Sequence, residues 1–138
     1  MSRSGYSDDC DNVGLWRGAV QSAIAGKRGQ KFLREMAAAL DAMPVKELVA
    51  NETVRDSAHV CAMGSVIVAR GVETISLADI NDLDAGDVGE KLGIAPAMAK
   101  EIAFLNDDDF GYTMETPAQR WARMRAWVAS QIQADGAA

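Results

Sequence analysis

Apolar side chains recur at steps of three and four residues along three stretches of this chain. That spacing places them on one face of an α-helix, so each stretch predicts a helix that buries one side in a common core. Pro44 follows the second stretch, which spans about 30–43, because proline cannot continue a helix. The three stripes are Val13, Trp16, Val20 and Ile24; Phe32, Leu33, Met36, Leu40 and Met43; and Trp121, Met124, Val128 and Ile132.

Length and composition favour a single helical domain. A chain of 138 residues fits one domain, and a hydrophobic fraction of 49 % is enough for a packed core. Aromatic residues make up only 6 %, whereas Ala and Met are plentiful, which favours helices over a β-sandwich. Residues 1–11 are polar and rich in Gly, Ser and Asp, and we expect a flexible N-terminal arm there. The predicted fold is all-α, a compact domain of five to seven short helices over residues 12–138.

Local signals predict where several helices begin and end. The run Thr116-Pro117-Ala118-Gln119 places a capping hydroxyl, a proline at the first helical position and a glutamine that completes a capping box. Asp84 is placed to cap a helix that ends near Leu92. Gly26 is expected to end the first helix, with residues 26–29 as a turn. In the last helix, we expect Trp121 to be largely buried against Val20, Phe32 or Met36.

The middle of the chain gives weaker signals. Residues 45–58 are expected to form a loop with helical turns. Residues 59–71 contain β-branched side chains that suit a strand, but no partner strand is evident elsewhere. A buried helix that ends at Gly71 is therefore the favoured interpretation. Ser76 is placed to cap a short helical turn that follows it.

Residues 87–103 read DVGEKLGIAPAMAKEIA and fit a helix, a turn at Gly93 and a second helix. A DNA-reading helix needs polar or basic side chains near its N-terminus, where this chain has Ala95, Pro96 and Ala97. The spacing matches a helix-turn-helix scaffold, but the reading surface does not, so packing of two helices is the favoured interpretation. The residues predicted to face inward are Val88, Leu92, Ile94, Ala99 and Ile102.

Charge is unevenly distributed along the chain, whose formal net charge is −6. Residues 71–119 hold eleven acidic and two basic side chains, whereas residues 15–46 hold six basic and two acidic ones. Either the basic helices neutralise the acidic middle within the fold, or an acidic surface remains for a basic protein partner. The candidates for partner binding are Asp84, Asp87, Glu90, Asp107, Asp108 and Asp109. The alternative is a nucleic-acid-binding patch of Lys27, Arg28, Lys31 and Arg34.

Catalytic and cofactor motifs are weak in this sequence. His59 is the only histidine, and Cys61, two residues away, points in a different direction if the segment is helical. Cys10 lies too far along the chain from Cys61 for a paired zinc or redox motif. Residues 106–111 lack the alternating oxygen ligands of a calcium loop, and residues 26–31 lack the spacing of a P-loop. We therefore expect a protein without catalytic residues, metal or cofactor.

Four segments of the chain together resemble a recurrent family of small proteins encoded by phages and prophages. They are SRSGYSDDCDN, LWRGAVQSAIAGKRGQKFLREMAAALDAMP, GIAPAMAKEIAFLND and ETPAQRWARMRAWV. The resemblance implies an accessory phage role in the bacterial cytoplasm, and no functional residue is carried over from it. The N-terminus also lacks the apolar stretch of an export signal, and no apolar run approaches the length of a membrane span.

These observations predict a non-enzymatic phage or prophage accessory protein that binds a protein partner. One concrete form is counter-defence, in which the acidic surface enters a basic groove of a CRISPR or other nuclease complex. The alternative function is a small nucleic-acid-binding protein that uses the basic patch at 27–34. The sequence identifies neither the partner nor the oligomeric state.

Overall fold

The computed structural model describes residues 13–56, 59–71, 77–107 and 115–133. Within them the chain forms seven helices and one small antiparallel hairpin, so the all-α prediction is confirmed. The arm predicted for residues 1–11 lies outside the described residues. The elements are α1 (Val13–Ala25), α2 (Lys27–Ala42), β1 (Val54–Asp56), β2 (His59–Val60), α3 (Ala62–Ala69), α4 (Leu77–Asp82), α5 (Ala85–Leu92), α6 (Pro96–Asp107) and α7 (Pro117–Gln131).

Helix α6 lies at the centre of the core. It packs mainly against α5 and α1, with further contacts to α3 and α7. Its inward side chains are almost completely removed from water, and Met98, Ala99 and Ile102 have no exposed surface. A second layer of contacts joins α2 to α3 and α7. Burial of these apolar faces is the main favourable contribution to folding, since each short helix alone is marginal in water.

The corner between α1 and α2 is tighter than the sequence predicted. Gly26 does close α1, since its N–H donates to the Ser22 carbonyl at 3.1 Å, but it is also the N-cap of α2. Helix α2 therefore begins at Lys27 and not near residue 30. A Cβ at Gly29 would lie 2.0 Å from the Ala23 carbonyl oxygen, so only glycine permits this approach. The predicted turn at 26–29 is wrong because a tertiary contact favours the longer helix.

The expectation of a loop with helical turns over residues 45–58 is also wrong in part. Val54 pairs with Val60 in a short antiparallel hairpin. Asn81 of α4 completes it, because its side-chain oxygen accepts the Val54 N–H at 3.2 Å and its amide nitrogen donates to the Val54 carbonyl at 2.7 Å. Asn81, 27 residues further along the chain, thus forms the hydrogen bonds that a third strand would otherwise form with Val54. No local sequence pattern predicts this contact. The buried helix predicted over residues 59–71 is confirmed for Ala62–Ala69, whereas His59–Val60 form the strand β2 and the helix ends before Gly71.

Two predicted helix caps are confirmed. Asp84 accepts the Asp87 N–H at 2.9 Å at the start of α5, and the Thr116–Gln119 capping box is complete at the start of α7. The cap predicted at Ser76 lies outside the described residues. The environment of Trp121 differs from expectation. Its indole is only half-buried and donates to the Leu40 carbonyl at 3.2 Å, at the C-terminal end of α2.

Candidate functional site

The α5–α6 hairpin is a structural unit of the core. Gly93 adopts the left-handed conformation at the turn, with φ of 87°. Gly89 lets the helices meet, since a Cβ there would lie 2.3 Å from the Ala99 side chain. Pro96 is the one exposed residue of α6, and Lys100, the one basic residue of this helix, is only partly exposed. The five residues predicted to face inward are all buried: Val88, Leu92, Ile94, Ala99 and Ile102.

Three of the six predicted acidic residues share α5 and its cap, and all three are exposed. Asp84 is used as the helix cap, whereas Asp87 and Glu90 lie one turn apart along the helix. Asp107 lies at the end of α6, where its carboxylate accepts the Asn51 N–H at 2.9 Å. Asp108 and Asp109 lie outside the described residues. Of the predicted acidic residues, those on α5 and its cap therefore form an exposed acidic surface.

Several other carboxylates of the described residues are held by arginines. Arg70 binds Glu35 at 2.7 Å, and Arg125 binds Asp41 at 2.8 Å. Hydrogen bonds from these guanidinium groups are the main cause that lowers the pKa of each carboxyl, because they favour the charged form. These pairs join elements that are distant in sequence, so much of the charge is neutralised within the fold.

Glu115 has the most enclosed of these arginine contacts. Its side chain is 11 % exposed and receives Arg123 at 2.7 Å, with Arg120 at 3.4 Å. The hydrogen bond from Arg123 is the main cause that lowers the pKa of Glu115. Arg123 also donates to the Leu105 carbonyl at 2.6 Å, and Arg120 donates to the Leu48 carbonyl at 3.1 Å. We call Glu115, Arg120 and Arg123 the arginine clasp, since they tie α7 to the end of α6 and to the segment at Leu48.

Glu101 behaves differently from the other paired acids. Its side chain is 6 % exposed, and its ion-pair partner Arg17, at 3.5 Å, is 64 % exposed. Burial raises the pKa of Glu101, and the charge of Arg17 opposes this effect only in part. This carboxyl lies inside α6 and faces α1, so it belongs to the packing of the core.

Besides Glu47, three exposed carboxylates have neither an arginine nor another partner in the described residues: Asp82 at the end of α4, and Asp87 and Glu90 on α5. We call them the acidic edge. Within the described residues their side chains form no hydrogen bond or ion pair, and all three are exposed. Lys91 is the one basic residue of α5. Sequence reasoning missed Asp82, although its position at the end of the preceding helix was the available signal.

The four residues of the predicted basic patch have different environments in the fold. Lys27, Arg28 and Lys31 are exposed on the first two turns of α2, and in the described part of the chain they form no hydrogen bond or ion pair. Arg34 instead donates to the Gln133 carbonyl at 2.7 Å, near the end of α7. We call Lys27, Arg28 and Lys31 the basic edge.

A groove of about 260 Å³ lies beside the basic edge, between α2 and the α5–α6 turn. Its apolar floor comes from Phe32, Leu92 and Ile94, which are all buried. Glu35 is the one acid in its lining, and Arg70 holds that carboxylate. The complete lining is Arg28, Lys31, Phe32, Glu35, Arg70, Leu92, Gly93 and Ile94.

A second groove, of about 280 Å³, lies between the end of α2 and α3. It is lined mainly by apolar side chains, and it includes Val45 and Val68, which are 53 % and 40 % exposed. Pro44 and Ala69 lie on the same lining. This groove is apolar and carries none of the predicted site residues.

The single histidine and the described cysteine lie in ordinary environments. His59 is exposed in the hairpin, with its Nδ1 2.8 Å from Asp56 Oδ1. Cys61 is buried and its Sγ accepts the Gly64 N–H at 3.4 Å, which caps α3. Across residues 13–56, 59–71, 77–107 and 115–133, no three His, Cys, Asp or Glu side chains group as metal ligands. Cys10 lies outside these ranges.

Comparison with known proteins adds no relative. The chain matches no family model, no curated protein and no solved structure. In the described residues, no helix is both long enough and apolar enough to cross a membrane. The resemblance to phage and prophage proteins stays a prediction.

Proposed function

We propose that this protein is a non-enzymatic binding protein that docks its acidic edge on a basic surface of a protein partner. The observation that carries the proposal is the contrast among its carboxylates. Glu35, Asp41 and Glu115 are held by arginines, whereas the acidic edge keeps its charges exposed and unpaired in the part of the chain that the structure describes. Such charges speed association with an oppositely charged surface and select against partners of the same sign.

The proposed partner has a concave, basic surface of the kind that holds nucleic acid. An acidic helix edge offers carboxylates in place of phosphates, and arginine binds both groups with two hydrogen bonds. In the phage or prophage setting that the sequence resemblance implies, such a partner is a host nuclease or CRISPR complex. The activity is then inhibition by occupation of that surface, in the bacterial cytoplasm and without a cofactor.

Affinity purification of the tagged protein from infected or lysogenic bacteria tests this proposal. The wild type is expected to retain a protein partner that the Asp82→Lys/Asp87→Lys/Glu90→Lys variant loses. Glu47→Lys is a control for position, because Glu47 is also exposed and forms no ion pair among the described residues but lies outside the acidic edge, in the segment after α2. Retention of nucleic acid alone, with no protein partner, would contradict the proposal.

A second candidate function is nucleic-acid binding by the basic edge. The observation that favours it is that Lys27, Arg28 and Lys31 are exposed and form no hydrogen bond or ion pair with any described residue, while Arg70 holds the neighbouring Glu35. A gel-shift titration with DNA and RNA tests it, because phosphate contacts make affinity fall steeply with salt. A shift that disappears in Lys27→Glu/Arg28→Glu but persists in the Lys91→Glu control would favour this function over the first.

A further inference from the structure

We infer that the groove beside the basic edge receives the acidic edge of a second copy of this chain, so that the protein self-associates. This inference goes beyond the proposed function and does not depend on it, because it concerns the purified chain alone. In this contact, the acidic edge of one copy lies in the groove beside the basic edge of another copy. A second copy therefore competes with any basic partner for the acidic edge.

The groove has the chemistry to bind a carboxylate-bearing helix. Arg28 and Lys31 stand at its rim and are exposed, and its floor is apolar. Arg70 already binds Glu35 and also donates to the Leu92 carbonyl at 3.0 Å, so its charge is largely used within the molecule. Arg28 and Lys31 form no hydrogen bond or ion pair among the described residues, although the charge of Lys31 also acts on the nearby Glu35 carboxylate, so they are the exposed cations that an incoming acidic group would meet.

The spacing of the two edges matches. Arg28 and Lys31 are three residues apart on α2, and Asp87 and Glu90 are three residues apart on α5. In both helices this separation puts the Cβ atoms about 5–6 Å apart on one face. Two helices that lie side by side can then form both ion pairs at once.

Net charge opposes this contact at long range, because each copy carries −6. At about 0.1 M salt the Debye length is about 10 Å, so repulsion between the molecular centres is screened. Ion pairs in direct contact are screened much less. We therefore expect self-association to be measurable at about 0.1 M salt and to weaken at about 1 M.

Sedimentation of the purified full chain over a concentration series at about 0.1 M salt tests the inference. The mean mass is expected to rise above the monomer value of 14.7 kDa as concentration increases. Arg28→Glu/Lys31→Glu and Asp87→Lys/Glu90→Lys are each expected to remain monomeric, and a mixture of these two variants is expected to associate again. Glu47→Lys, the control outside both edges, is expected to behave as the wild type, and circular dichroism checks that every variant is helical.

Recovery in the mixture distinguishes complementary contact from a simple loss of folding, since each variant carries the charge that the other needs. A wild type that stays monomeric at all concentrations would overturn the inference. Association that both double variants retain would also overturn it, because the contact would then lie elsewhere, for example at the apolar groove with Val45 and Val68. Failure of the partner purification leaves these results unaffected, so the two proposals fail separately.

Discussion

The arginine clasp and the acidic edge use the same chemical group in opposite ways. The Glu115 carboxylate is 11 % exposed and bound by Arg123 at 2.7 Å, so it holds α7 against the rest of the domain. The carboxylates of Asp87 and Glu90 are exposed and bound to nothing in the described structure. The Glu115 charge therefore stabilises the fold, whereas the charges of Asp87 and Glu90 remain available to another molecule.

The largest effect is expected from Glu115→Ala. This change leaves the guanidinium groups of Arg120 and Arg123 in a largely enclosed place without their carboxylate. Breaking a buried pair from one side destabilises strongly, so we expect a loss of about 3 kcal/mol in the free energy of unfolding. Urea denaturation of wild type and variant measures it. A loss as small as that of Glu47→Ala would show that the clasp does not stabilise the fold.

The arginine clasp also predicts that the free energy of unfolding depends on pH. The pKa of Glu115 is lowered in the folded protein, so its contribution is complete above the unfolded value, near 4.5, and disappears as pH falls through the folded value. Glu115→Gln removes this titration. The stability difference between wild type and Glu115→Gln, about 1–2 kcal/mol near pH 7, is therefore expected to shrink below pH 4.5. Denaturation at several pH values measures it, and a difference that stays constant would contradict the assignment.

Glu101→Gln is expected to act in the opposite direction. Burial raises the pKa of Glu101, so the folded state binds a proton more readily than the unfolded chain and loses stability as pH rises above about 4.5. The glutamine variant lacks this loss. Relative to wild type it is expected to gain stability between pH 4.5 and pH 7. Thermal unfolding of both proteins at the two pH values is the measurement, and a relative loss on going to pH 7 would contradict it.

The smallest effect on stability is expected at the acidic edge. Asp87→Asn/Glu90→Gln removes two exposed charges without enclosed partners, so the free energy of unfolding should change by less than about 1 kcal/mol. The same variant is expected to lose partner binding in the affinity purification. A large loss of stability would show that the edge is part of the fold, and unchanged partner binding would place the contact elsewhere.

Local sequence patterns were sufficient for much of the helical fold. The apolar stripes predicted the long helices, and Asp84 and Thr116 predicted two helix starts, because caps and periodicity depend on neighbours a few residues apart. The α5–α6 hairpin was predicted for the same reason, with its turn at Gly93. The start of α2 and the hairpin at Val54 were missed, since each depends on a contact from another element: Ala23 on Gly29, and Asn81 on the strand.

The sequence by itself predicted that this chain is helical, acidic and uneven in charge, since these properties follow from composition and short-range order. Only the tertiary structure decided which charged side chains form ion pairs or hydrogen bonds within the fold. Arg125 reaches Asp41 and Arg17 reaches Glu101 across 84 residues of chain, whereas Arg34 turns away to Gln133. An ion pair forms where folding brings two side chains together, whatever their separation in sequence. The sequence therefore named five of the six residues of the two edges as candidates, but only the folded contacts showed that Arg34 and Asp107 are engaged and that these five form no ion pair among the described residues.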